Sequence, residues 1–97
     1  MRVRYTPEAF ADRERILEYL RAPSPSGARN VAASMREAVT QLGDQPLSGY
    51  RTEVPDVRVI FVVRYPYKIF YRVRETAVEI LHIRHTSRRA WTGDRSI

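Results

Sequence analysis

Residues 56–91 read DVRVIFVVRYPYKIFYRVRETAVEILHIRHTSRRAW, and no other stretch limits the possible folds as much. It holds three apolar runs, 57–63, 67–73 and 78–83, rich in the Val, Ile, Phe and Tyr that suit a pleated, half-buried surface. Only a few residues separate one run from the next. Gaps that short permit antiparallel hairpins and are too brief for a parallel crossover. A three-stranded meander is expected, followed by a basic, aromatic tail.

The chain before it reads as cover for one face of that sheet. Residues 2–5 form a short strand, with Val3 and Tyr5 on one side and Arg2 and Arg4 on the other. Thr6-Pro7-Glu8 is a helix start: a hydroxyl cap, a proline at the first helical position and an acid near the positive dipole end. Phe10, Arg13, Ile16, Leu17 and Leu20 follow at helical spacing as the inward stripe, with Asp12, Glu14, Arg15 and Glu18 opposite. The stretch Pro23-Ser24-Pro25-Ser26-Gly27 breaks this helix. In the next one, Ala28, Val31, Met35, Ala38, Val39 and Leu42 advance by three or four, and Gly43 sits where a left-handed cap is expected. Two helices so closely linked should pack antiparallel. Residues 44–55 are the longest irregular stretch, either a partner-contacting loop or a bare connection.

In the meander, residues 57–63 are apolar on both faces, which suggests a central strand. The next run sets Tyr67, Ile69, Tyr71 and Val73 against Lys68, Phe70, Arg72 and Arg74. Strict alternation in the last sets Val78, Ile80, His82 and Arg84 against Glu79, Leu81, Ile83 and His85. The expected fold is α+β in the order β-α-α-β-β-β, with a helical hairpin over 7–43 packed on one face of a small, mostly antiparallel sheet. The meander covers 57–85, and a basic tail covers 86–97. One domain of two layers is expected across residues 1–97.

The 97 residues bound the function. There is no cysteine, hence no disulfide framework and no thiolate metal site. The longest uninterrupted apolar run, 59–63, is far short of the ~20 residues that span a bilayer, and the start lacks the apolar core of a signal peptide. A cytoplasmic protein with no membrane partner is expected. The net charge of +6 is uneven: residues 1–50 carry +1 and residues 51–97 carry +5. A field of that sign attracts nucleic acid or an acidic protein segment. Sixteen of the seventeen cations are Arg, whose planar fork suits phosphates and carboxylates; a GC-rich genome's codon preference would give the same excess. The four glycines are isolated, so no phosphate-cradling loop and no nucleotide cofactor is expected. His82 and His85 are three apart on a strand, which places them on opposite faces, and no metal site is expected.

Element order, length and residues together resemble the RelE/ParE superfamily of toxins from type II toxin–antitoxin systems. The opening YTPEAFADRERILEYL is similar to the family's strand, polar turn and first helix. YKIFYRVRETAVEILHIRHTSRR resembles the ParE-branch pattern of an aromatic strand, a short turn, an apolar strand and a terminal His-x-x-Arg. The resemblance implies a toxin that binds DNA gyrase, neutralised by a cognate antitoxin with which it forms a hetero-oligomer. The alternatives it implies are a ribosome-dependent mRNA endonuclease of the RelE kind and a non-toxic member that binds antitoxin alone.

Metal-independent RNA cleavage needs a base, an acid and cations for the phosphorane. His85 is the acid–base candidate on that reading, with Arg64 and Arg88 for the phosphate charge; on the plainer reading His85 caps its strand and hydrogen-bonds backbone. Two departures count against the nuclease. RelE-like enzymes tend to carry lysines before the central hairpin, where this chain has Arg51, Glu53 and Asp56. They also tend to place a catalytic Tyr near the end, where this chain has Trp91, which offers no phenol. Tyr65, Tyr67, Arg72, Arg88, Arg89 and Trp91 are the candidates for partner binding, on a basic, aromatic sheet face.

Overall fold

The computed structural model describes residues 1–87. Its elements are β1 (Arg2–Tyr5), α1 (Pro7–Arg21), α2 (Pro25–Asp44), β2 (Tyr50–Arg51), β3 (Val57–Phe61), β4 (Tyr67–Val73) and β5 (Ala77–His85). The five strands form one sheet in the order β1-β5-β4-β3-β2. β1 runs parallel to β5, and the other pairs are antiparallel. The helical hairpin lies on one face, giving the expected α+β arrangement with one short extra strand.

Local chemistry explains the helix boundaries. Thr6 caps α1, its hydroxyl accepting the Ala9 N–H at 3.2 Å and donating to the Ile80 carbonyl at 2.8 Å. One side chain therefore starts the helix and ties it to β5. Ser24 caps α2 in the same way through the Gly27 N–H, so α2 begins at Pro25, inside the stretch read as a break. Pro25 is tolerated there because the first-turn N–H needs no intrahelical partner.

Several expectations are corrected. Phe10 is 54% exposed, and Ala9, fully buried, takes its inward place. The single residue between Tyr5 and α1, Thr6, sets the helical phase, which turns Asp12, expected in solvent, toward β5. Gly43 is not a left-handed cap, for α2 continues through it to Asp44. Its service is close approach, since a Cβ there would lie 2.9 Å from the Met1 carbonyl, and the Met1 amino group donates to the Gly43 carbonyl at 2.7 Å. The strand over 57–63 ends at Phe61; it does lie inside the sheet, between β4 and β2, with β4 at the centre.

Residues 44–55, expected to be irregular, contain β2 and are pinned to the sheet. The Tyr71 phenol, fully buried, donates to the Pro46 carbonyl at 2.8 Å and accepts the Gly49 N–H at 2.9 Å. Burial pushes this phenol above its usual range, and the Gly49 N–H partly offsets that. Arg58 donates to the Gly49 carbonyl at 2.9 Å.

The main core lies between helices and sheet. Leu17, Met35 and Leu42 meet Ile69, Tyr71 and Ile80 there, and each buried aliphatic side chain contributes roughly 1.5–3 kcal/mol. Val57, Phe70 and Leu81 form a second cluster on the opposite face. The register slips between Phe70 and Tyr71, which pair with His82 and Ile80, so Leu81 is an extra residue in β5. Such a bulge resets the alternation. As a result Ile83 joins Val78 and Ile80 in the main core, which corrects the strict alternation expected for this strand.

Candidate functional site

Three groups of polar side chains surround the sheet. The first lies where β5 ends beside the β3–β4 turn. The Thr86 N–H donates to the Pro66 carbonyl at 2.8 Å, joining strand end and turn. His85 is exposed and stands edge-on to Tyr67, with ring centroids 5.6 Å apart. Its Nδ1 accepts the Ser87 N–H at 3.1 Å and lies 2.8 Å from the Ser87 hydroxyl. An accepting Nδ1 places the proton of the neutral ring on Nε2.

Tyr67 belongs to the main core at 8% exposure, and burial, followed by the nearby Tyr19, pushes its phenol above the usual range. Arg64 occupies the turn with φ 77°, a left-handed conformation uncommon outside glycine. With the half-buried Tyr65 it lines an open groove of about 420 Å³ against Asn30, Ala33 and Glu37 of α2. The structure thus brings Arg64 and Tyr65 together and sets His85 on Tyr67. Among the described residues, no hydrogen bond or ion pair links His85 to Arg64. Arg88, Arg89 and Trp91 lie outside the described residues.

The second group is on the sheet face away from the helices. Glu79 in β5 is paired across the sheet with Arg4 on one side and Arg72 on the other. Arg4 approaches its carboxylate at 2.7 Å, Arg74 at 3.3 Å and Arg72 at 3.6 Å. The Arg4 hydrogen bond is the main reason that Glu79 titrates below the usual carboxylate range; burial opposes it, and Arg74 adds to it. Three cations around one anion leave a local excess of positive charge.

The third group was not legible as a site. Asp12 Oδ2 accepts the Ile83 N–H at 3.1 Å and stands 3.0 Å from His82 Nδ1, with the two side chains 13% and 6% exposed. Asp12 Oδ1 also accepts from Arg15 at 2.6 Å. β1 has ended at Tyr5, so among the described residues the β5 edge beyond Ile80 has no strand partner, and the Asp12 carboxylate supplies an acceptor there. The three-residue spacing of Ala9 and Asp12, which sets them on one helix face, holds a weak signal, but nothing in the sequence indicates which strand edge a helix will cover.

At the far end, Leu47, Arg51, Thr52, Val54 and Pro55 line a further open groove of about 380 Å³. Among the described residues, no cluster of three or more His, Cys, Asp or Glu side chains could hold a metal, and no helix is long and apolar enough to cross a membrane.

Residues 3–90 match the family model described as the ParE toxin of the type II toxin–antitoxin system ParDE. The chain is 34% identical over 84 residues to Toxin RelE2 of Caulobacter vibrioides, covering 87% of this chain and 93% of that one. It is 32% identical over 84 residues to the putative toxin Y4kP of Sinorhizobium fredii, covering 87% and 86%. A solved structure titled as the chromosomal ParDE TA system from P. aeruginosa superposes with a TM-score of 0.78 at 27% identity, over 88% of this chain and 95% of that one.

Proposed function

Because the chain belongs to the ParE toxin family of type II toxin–antitoxin systems, within the RelE/ParE superfamily, we propose that it inhibits growth by binding DNA gyrase. On this reading a cognate antitoxin holds it in a hetero-oligomer, and the chain has no nuclease activity of its own. The observation that carries the choice of target is the state of the two histidines. His82 has a carboxylate beside it, but the two side chains are only 6% and 13% exposed. His85 is exposed, but its Nδ1 is engaged by Ser87 and its nearest phenol, Tyr67, is in the core. Among the described residues, no acid–base pair stands open to a phosphodiester.

For the antitoxin contact we propose Tyr65 at the turn, Arg72 on the sheet and the tail residues Arg88, Arg89 and Trp91; Tyr67, expected on that surface, is turned into the core instead. Tyr65 borders the groove against α2. Arg72 offers a cation to an acidic segment.

A specific observation favours the second reading, ribosome-dependent mRNA cleavage: the Caulobacter relative is named a RelE toxin. His85, Arg64 and Arg88 would then supply proton transfer and phosphate charge. A paired assay on toxin freed of antitoxin decides. One arm follows gyrase supercoiling and cleavage-complex formation, and the other follows cuts in mRNA on ribosomes. Gyrase inhibition with intact mRNA is expected. Ribosome-dependent cuts that vanish in His85→Ala would replace the gyrase reading by the nuclease, and silence in both arms would leave a member that binds antitoxin alone.

A further inference from the structure

Two arginines on the sheet face away from the helices each hold a buried Nε for which the described residues supply no acceptor. Arg72 Nε is buried without an acceptor, and the Arg72 Nη2 contact to Glu79 is 3.6 Å, beyond hydrogen-bond length. Arg84 Nε is likewise buried without an acceptor. A donor removed from water and left unpaired costs free energy, which an incoming acceptor would recover. The two side chains share a face: Arg84 pairs across the sheet with Lys68, which is four residues from Arg72 on β4. Arg4 and Arg74, each more than half exposed, extend the patch at the Glu79 end.

The spacing selects the ligand. Four residues along a strand place the Arg72 and Arg84 levels about 13–14 Å apart, too far for one carboxylate or phosphate to serve both. The ligand therefore carries a run of negative charges. An acidic antitoxin segment can meet Arg72 at one end of the face, but a peptide spanning both levels would need an apolar grip to hold its register, and Phe70 and Leu81, which lie between the levels, are 3% and 8% exposed. With Phe70 buried, none of the described residues offers a central aromatic platform for unstacked bases on this face. A regular phosphate backbone needs neither, and arginine forks suit phosphate oxygens.

We propose that this face binds the phosphate backbone of duplex DNA without reading its sequence, Arg72 and Arg84 meeting phosphates, Arg4 and Arg74 holding the rim, and Glu79 competing internally for the same guanidiniums. This goes beyond the gyrase reading. Binding is measured with no gyrase present, so each stands or fails separately.

The test is fluorescence anisotropy of a labelled random-sequence duplex with the full chain, purified without antitoxin, across a salt series. Four engaged arginines give a slope of log K against log salt of about −3.6, a loss of roughly 150-fold in affinity between 50 and 200 mM salt. Arg72→Ala and Arg84→Ala each flatten the slope by about 0.9, and Arg29→Ala, on the exposed side of α2, leaves it unchanged. Glu79→Gln tightens binding by removing the internal competitor, a gain that misfolding cannot imitate. The proposal is overturned if no duplex binds at 50 mM salt. It is also overturned if Glu79→Gln and the two alanine variants all bind like the parent, or if single-stranded DNA, RNA or polyglutamate binds as tightly as the duplex.

Discussion

Asp12 Oδ2 accepts the Ile83 N–H at 3.1 Å, so a helix carboxylate completes the β5 edge where the parallel strand β1 has stopped. The same oxygen stands 3.0 Å from His82 Nδ1. Helix, strand edge and buried imidazole are thereby joined through one side chain.

Asp12→Ala removes both contacts and strands a buried N–H and an imidazole. The expected cost is about 3 kcal/mol, since hydrogen bonds to charged groups and orphaned buried polar atoms each weigh about 1–3 kcal/mol. Asp12→Asn keeps an acceptor and should lose less than Asp12→Ala. Urea denaturation of the three proteins measures this. A loss under about 0.5 kcal/mol in Asp12→Ala, the range of an ordinary surface change, would mean the pair contributes little.

Thr6→Ala tests the neighbouring link between α1 and β5. The hydroxyl caps the helix through Ala9 and donates to the Ile80 carbonyl. Loss of the cap costs about 1 kcal/mol and loss of the second bond about 1 more. Thr6→Ser retains both and should denature near the parent midpoint. Equal destabilisation by Ala and Ser would assign the effect to the lost methyl instead.

Tyr71→Phe removes the hydroxyl that bridges the Pro46 carbonyl and the Gly49 N–H. About 1–2 kcal/mol of stability should be lost, with faster hydrogen exchange at the Gly49 amide. Gly49→Ala should act at the same place, because its Cβ would fall 2.6 Å from the Tyr71 oxygen and 2.8 Å from the Val59 carbonyl. Unchanged exchange in Tyr71→Phe would show that Arg58 holds the loop unaided.

The meander was legible because period-two runs with short gaps admit few pairings, and Thr6-Pro7 announced its helix. What sequence could not supply was phase. Phe10 and Ala9 are adjacent, and both suit an inward stripe; the short span from Tyr5 decides between them. The slip at Leu81 follows from pairing with β4 and leaves no mark in AVEILHIRH, so His82 and Ile83 were placed by an alternation that the bulge resets. Asp12 looked like a solvent residue because its partners are 70 and 71 positions away. The sequence puts Arg72 on a basic face, and β4 does place it opposite the helices, but its convergence with Arg4 and Arg74 on Glu79 depends on the β1–β5 pairing.

That convergence has a pH signature. Arg4, with help from Arg74, holds the Glu79 carboxyl below its ordinary value of 4.5. The folded state therefore releases this proton more readily than the unfolded chain, which binds more protons wherever the two differ. Stability from Glu79 is accordingly present above about pH 4.5 and disappears as pH falls through the lower folded value. Glu79→Gln removes the titration, so it should be less stable than the parent at neutral pH and approach it as the medium is acidified. Denaturant midpoints of both proteins, taken from neutrality down to about pH 3, give the difference curve. A gap that stays constant through the acid range would locate the folded-state proton affinity elsewhere and leave the three arginines with no net hold on Glu79.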